Sequence, residues 1–349
     1  MRASQRCCCH RATNTSSGFV IGELVATLVV LLVVVAVLIP ALLNMRRNAR
    51  LAGDMGKLHA INGWMLSYAA DSNDDFATIW WQGGVTYAAS LPQLMLASDD
   101  LQAGANQAAE IIRTVGDRPD FQRVTGWLAQ ARYAHLVLVQ YAGLPLPSTD
   151  FVSTGDVHRM NWTKDPENKF ENNFWIPYQP AYSGNSSRRW PYSTSFEYNP
   201  AIWDNSDVGS RASNSSSSVT SYSVASGADL RPHARTEARY PSQKAVVYDQ
   251  NAWHFDRSGH FFWFDEARLP ILFADGHVSV RVIANSNMSM NPNFPLSTIS
   301  HTSSVYTPRT YDPPTPNGSP SWALSDHIRW TRAGLKGRDF GGPEVVETP

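Results

Sequence analysis

The sequence predicts an α+β protein: a long N-terminal helix, membrane-spanning in its first half, packed on a globular head with antiparallel β-sheet. Three observations predict it. Residues 19–39 form an almost unbroken apolar run, and apolar residues then recur at helical spacing from Leu51 to Tyr68. Much further on, two apolar-alternating runs flank Asp275-Gly276 in "PILFADGHVSVRV". The 12 Trp and 13 Tyr are spread along the chain beyond the run, which argues for a folded head rather than a disordered stalk.

Composition narrows the function classes. The 349 residues carry a formal charge of −1, and only 17% are charged. There is neither a basic stripe nor an acidic run, so nucleic acid is not an expected partner. Cys7, Cys8 and Cys9 all precede the apolar run, which leaves the head without a disulfide framework or a thiolate metal site. At this length a core can hold without such staples.

The apolar run comes first. From Phe19 to Ile39 the one strongly polar residue is Glu23, since Thr27 can return its hydroxyl to the helix. At 1.5 Å per residue the run spans about 31 Å, the thickness of a bilayer's hydrocarbon core. A secretory signal has a shorter apolar region and a small-x-small cleavage site, whereas Pro40-Ala-Leu-Leu-Asn follows here. Charge does not set the orientation: Arg2, Arg6 and Arg11 precede the span, and Arg46, Arg47 and Arg50 follow it. A carboxylate this far in is costly unless it has a role. If the chain were cut between Gly18 and Phe19, the new amine of Phe19 would lie at nearly the depth of Glu23. In a staggered side-by-side assembly it would neutralise the carboxylate of a neighbour.

These residues carry a resemblance. A short basic leader ending in Gly18, then Phe19, Glu23 and Pro40, is similar to the class III signal of type IV pilins and of type II secretion pseudopilins. The resemblance implies cleavage after Gly18 by prepilin peptidase and N-methylation of Phe19. It also implies a role for Glu23 in aligning subunits, and a kink at Pro40, where a backbone donor is missing. Gly22 departs from the family, which usually has an aliphatic residue there. The implied organisation is a leader (1–18), a transmembrane helix (19–40), an amphipathic helix continuing it (41–72) and a pilin-like head (73–349). The implied partners are prepilin peptidase, other pilin or pseudopilin subunits and inner-membrane lipid. The N-terminus would be cytoplasmic, and the head would lie in the periplasm or at the cell surface of a bacterium.

The amphipathic part has Leu51, Met55, Leu58, Ile61, Met65 and Tyr68 on one face, with Arg50, Lys57 and His59 mostly off it. A helix from Phe19 to about Ala70 would be about 78 Å long. "DSNDD" (71–75) follows. Its alternating Asp71, Asn73 and Asp75 resemble half an EF-hand, but Phe76 replaces the required Gly and Gln82 the terminal Glu, so it reads as a solvated turn. Residues 91–145 look helical, stopped by Pro145 and Pro147, with His135 as a core or rim residue rather than a ligand. From Phe151 the pattern is β-like, and the Ser-rich stretch 206–227 reads as an exposed flexible loop.

Asp275-Gly276 reads as a type I′ hairpin turn, with "KAVVYDQ" and "HFFWF" as companion strands. The hairpin resembles the C-terminal element of a group of pilin-like bacterial proteins named for a His-x9-Asp-Gly pattern. Here Asp265 stands ten residues before Asp275, and the nearest preceding histidine is His260. A Pro-rich tail segment (308–320) and "HIRWTRAGLKGRDFGG", read as a last basic strand with a glycine-rich exit, complete the chain.

His254, Asp256, His260, Asp275 and His277 are a sequence-near His/Asp set of the kind that holds a metal or a hydrolytic water. Asp275 is explained by its turn, and no catalytic motif accompanies the set. No catalytic residue, metal or cofactor is therefore expected. A glycan-binding head is the alternative class, through aromatics such as those of "TIWWQGG" (78–84), and a metal-dependent hydrolase is the weaker one; the aromatics are expected to fill the core.

Overall fold

The computed structural model describes residues 21–172, 188–206, 211–215, 218–255, 260–292, 294, 297, 303–308 and 312–345. The chain divides into two compact units, Met1–Arg47 and Asn48–Pro349, and helix α1 (Ile21–Asp71) contributes to both.

In the first unit α1 is an exposed apolar helix, long and apolar enough to cross a membrane. Its length and composition meet what a membrane span or a signal anchor requires. Thr27 Oγ1 donates to the carbonyls of Glu23 (3.0 Å) and Leu24 (2.8 Å), so its hydroxyl is satisfied within the helix. Pro40 sits inside α1, which continues through it without a break.

In the second unit the outer part of α1 is core. Leu58, Ile61, Met65 and Ala69 are buried, whereas Leu51, Met55 and Tyr68 are half-buried. Asp54, one turn before Leu58 on the same stripe, is also fully buried. The helix stops where Asn73 and Asp74 adopt left-handed φ values of 55° and 66°, and Asp74 N donates to Ala69 O (2.9 Å). The acidic turn is docked rather than free: Asp71 accepts from Tyr141 OH (2.5 Å), and Asp74 Oδ2 from Thr236 N (3.0 Å).

Residues 91–145 form less helix than the apolar pattern suggests. Helix α2 (Asp100–Thr114) is capped by Asp99, whose carboxylate accepts from Gln102 N (2.9 Å). After it come the short α3 (Gln130–Tyr133) and α4 (His135–Ala142). The stretch between is irregular because Asp117 and Gly126 take positive φ and Arg113 Nη1 donates to Phe121 O (2.6 Å). Gly143, left-handed at φ 63°, ends α4 before Pro145 is reached. Two more short helices, α5 (Val157–Trp162) and α6 (Pro166–Glu171), occupy chain that reads as β-like. Asp156 decides the first of these, since its side chain accepts from Arg159 N (3.0 Å) at the helix start.

The main sheet is antiparallel, in the order β1 (Phe196–Tyr198), β4 (Ala245–Asp249), β5 (Arg268–Phe273), β6 (Val278–Val282). Period-2 alternation splits its side chains between two cores. Phe196, Tyr198, Val247 and Leu272 join α1, α2 and α4 in one; Tyr248, Leu269, Ile271 and Phe273 join an aromatic cluster in the other. Strands β2 (Ala212–Ser215) and β3 (Ser218–Val224) pair with each other, as do β7 (Ser303–Tyr306) and β8 (Trp322–Ser325).

Several expectations need correction. Within the Ser-rich stretch 206–227, β2 and β3 pair as antiparallel strands instead of forming a loop; Asn214 in β2 is buried and bonds to Asp326 Oδ2 (2.8 Å). "HFFWF" turns instead of extending: Phe264 N donates to Phe261 O (3.0 Å) and Ala267 N to Phe264 O (2.8 Å). Turning lets Phe261 stack on Tyr306 at 4.7 Å while Phe264 meets the same ring edge-on. "HIRWTR" is not a strand, because Ile328 and Ala333 take φ values of 51° and 61° and swing Arg329 into the core. The hairpin turn is not type I′ either. Only Gly276 has positive φ (90°), and Gly276 N donates to Phe273 O (2.9 Å) while Phe273 N donates to His277 O (3.0 Å). Ala274, Asp275 and Gly276 thus form a three-residue loop ending in a left-handed glycine.

Candidate functional site

Gly18 and Phe19 lie outside the described residues. Glu23 lies in the first turn of α1 and is exposed. Asp275 and Gly276 form the β5–β6 turn, where Asp275 Oδ1 accepts from His277 N (3.1 Å) and pairs with His277 Nδ1 (2.6 Å). The His277 ring stacks on Phe273 at 4.3 Å. Both residues are thereby used locally.

The sequence-near His/Asp set does not assemble around this turn. Asp256 lies outside the described residues. Asp265, at the position where the His-x9-Asp-Gly pattern has histidine, pairs with His327 Nε2 (3.2 Å). His254 instead joins Asp54 of α1, 200 residues away, and Asp249, which precedes it at the end of β4. Among the described residues this is the one group of three His, Cys, Asp or Glu side chains whose ligand atoms lie within 4.8 Å of one another. All three are buried.

The chain's local structure accounts for each position. Asp54 belongs to the buried stripe of α1. Asp249 shares a strand face with Val247 and is paired in register with Phe196, so alternation points it at the helical side of the sheet. His254 follows the bend after β4, where Trp253 Nε1 donates to Asp249 Oδ1 (3.1 Å). Gly155 is required nearby, because a Cβ there would stand 2.2 Å from Trp253 Cβ.

The hydrogen bonds are unevenly shared. Asp54 Oδ1 accepts from Thr154 N (2.7 Å); Asp54 Oδ2 accepts from Ser153 Oγ (2.5 Å) and bonds His254 Nε2 (2.7 Å). Burial by itself would raise Asp54, but the bonds from His254, Ser153 and Thr154 outweigh it and hold the carboxyl below its ordinary range. At Asp249 the balance reverses, because the opposing bonds from Ser153 and the Asn251 backbone do not offset burial. Its Oδ2 has no hydrogen-bond partner, and burial, with the Asp54 and Asp156 carboxylates close by, pushes it well above the usual range. Lys57 Nζ donates to Thr149 O (2.8 Å) and Val152 O (2.6 Å), pinning α1 to the loop that carries Ser153. Burial depresses its pKa, and Asp54, Asp150 and Asp249 oppose the effect. Just behind lies a satisfied pair: Asp156 Oδ2 accepts from Arg159 Nη1 (2.6 Å) and Ser195 Oγ (2.9 Å).

Sequence reading missed Asp54 and Asp249. An Asp on the apolar stripe of an amphipathic helix was the available signal for Asp54; Asp249 ends a strand like many surface acids.

The aromatics of 78–84 divide. Trp81 is buried and stacks on Tyr87 at 4.5 Å, whereas Trp80 is 41% exposed and meets Tyr87 edge-on at 5.5 Å. Trp80, Trp81 and Tyr87 line an open groove of about 460 Å³ with Gln107, Glu110 and Gln140.

Comparison with family models, curated proteins and solved structures finds no match to this chain.

Proposed function

We propose that this chain is a pilin-like structural subunit, cleaved after Gly18 by prepilin peptidase, methylated at Phe19 and assembled through Glu23 into a type IV pilus or type II secretion pseudopilus. The observation that carries the reading is the exposed apolar half of α1, with Glu23 in its first turn, on a helix whose outer half is core in a head with antiparallel sheets. An apolar helix surface of this kind needs lipid or other helices to cover it. A carboxylate set near its start makes side-by-side packing depend on a neighbouring cation. In this reading the precursor is a single-pass inner-membrane protein with a cytoplasmic N-terminus, the head lies in the periplasm or at the cell surface, and the head's task is contact rather than catalysis.

N-terminal sequencing of the membrane-fraction protein tests it: methylated Phe19 is expected as the first residue. Glu23→Val should leave the protein in the membrane but keep it out of filaments. A mature protein still crossing the Gly18–Phe19 junction would overturn the reading.

A second reading is favoured by one observation, the exposed Trp80 in a groove lined by amides and a carboxylate. A flat ring beside such donors and acceptors suits a sugar. Glycan-array binding that Trp80→Ala abolishes would make carbohydrate contact the role of the head.

A further inference from the structure

We propose that Asp54, Asp249 and His254 bind one divalent transition-metal ion, of the zinc class, which fastens the outer half of α1 to the end of β4. Two segments distant in the sequence, α1 with Asp54 and the end of β4 with Asp249 and His254, deliver one imidazole nitrogen and two carboxylates to a single buried point. Two carboxylates and a divalent ion are electrically neutral together, which removes the main cost of burying both acids. The donor set selects the metal: imidazole suits zinc and its neighbours, whereas magnesium and calcium prefer oxygen alone.

The decisive detail is the distribution of hydrogen bonds. Each acid has its Oδ1 held by a fixed donor, Thr154 N for Asp54 and Trp253 Nε1 for Asp249. That is the orienting arrangement of metal-binding carboxylates; Asp249 Oδ2 is left open for the ion, whereas Asp54 Oδ2 bonds Ser153 Oγ and His254 Nε2. Asp249 Oδ2 has no partner although its side chain is completely buried, and an unmet acceptor there is expensive. Lys57, one turn after Asp54 on α1, donates instead to the Thr149 and Val152 carbonyls. Ser153 Oγ donates to Asp54 Oδ2 (2.5 Å) and helps to fix that carboxylate. In the metal-bound state the Asp54–His254 hydrogen bond gives way to two bonds to the ion; the hydrogen on His254 Nε2 moves to Nδ1, or leaves to solvent if the ring carries two, and any proton on Asp249 leaves to solvent as well. The site is independent of cleavage at Gly18.

The test uses the full chain in detergent, stripped with a chelator and dialysed. Titration with zinc should show one equivalent bound per chain. The melting temperature should rise by about 5 °C or more at a hundred-fold excess over Kd, and should fall back on adding EDTA. Cobalt should give the visible absorption of a low-symmetry His/carboxylate site. Asp249→Asn preserves the shape, removes the charge, and should abolish both binding and the shift. If it does not fold, chelator competition on the wild-type protein decides alone. A stripped wild-type protein that binds no zinc or cobalt and whose melting temperature ignores both would overturn the proposal, as would undiminished binding by folded Asp249→Asn.

Discussion

His135 should give the head a stability that drains away in mild acid. Its ring is buried at 3% exposure, 4.9 Å from the Phe151 ring, and its Nδ1 has no partner. Burial, helped by the Arg159 guanidinium and opposed by a hydrogen bond to the Tyr192 backbone, pulls its pKa down to about 3. In the unfolded chain the group titrates near 6.5. The unfolded state therefore binds the extra proton throughout the window from about 6.5 down to about 3. The contribution is complete above that window and shrinks as pH falls through it, by about 1.4 kcal/mol per unit. Between pH 7 and pH 5 the loss from this residue alone is about 2 kcal/mol. Urea unfolding of the full chain in detergent at the two pH values measures it against His135→Leu, which cannot titrate. Other groups titrating in the window are common to both proteins and cancel. The wild type should lose about 2 kcal/mol more than the variant. Equal losses would show that the ring is protonated in the folded head, and the burial argument would fail.

Further outcomes follow from the other core and from the hairpin. Arg329 and Glu197 are fully buried and bonded twice, Nε to Oε1 at 2.6 Å and Nη2 to Oε2 at 2.8 Å. Arg329→Met should cost about 3–5 kcal/mol, because it strands Glu197, whereas adding Glu197→Leu should recover much of that in a double-mutant cycle read by urea unfolding. Gly276 has φ 90°, and a Cβ there would lie 2.6 Å from Asn62 Nδ2. Gly276→Ala should destabilise by about 1–3 kcal/mol, and Asn62→Ala should relieve the steric part but not the backbone part, as thermal melts of the single and double variants would show. Asp74→Ala removes the acceptor of Thr236 N at an exposed turn, and should lower stability by about 0.5–1.5 kcal/mol in the same assay.

The sequence and the structure agree where a pattern repeats along one element. The apolar run and the stripe through Leu58, Ile61 and Met65 show α1, and the alternation around Asp275-Gly276 shows β5 and β6. Agreement fails where burial comes from distant chain. The four adjacent aromatics of 261–264 read as a strand, yet they turn because Tyr248, Tyr306 and Arg329 offer them partners on different sides. The polar 206–227 reads as loop, yet β2 and β3 pair within it, with Asn214 reaching Asp326 and Arg329.

The sequence by itself determined the long helix, its apolar half, the carboxylate near its start and the presence of an antiparallel hairpin, since each is written in local periodicity. Only the tertiary structure decided which histidine meets which acids. His254 reads as one of a set with Asp275 and His277, but the antiparallel sheet places Asp249 on the face that α1 covers, and the stripe of α1 brings Asp54 to the same point. Asp249 and His254 are near neighbours in sequence, but Asp54 lies 200 residues from the histidine and no spacing connects it to them. The site's members are found only when the burial of each charge has to be explained.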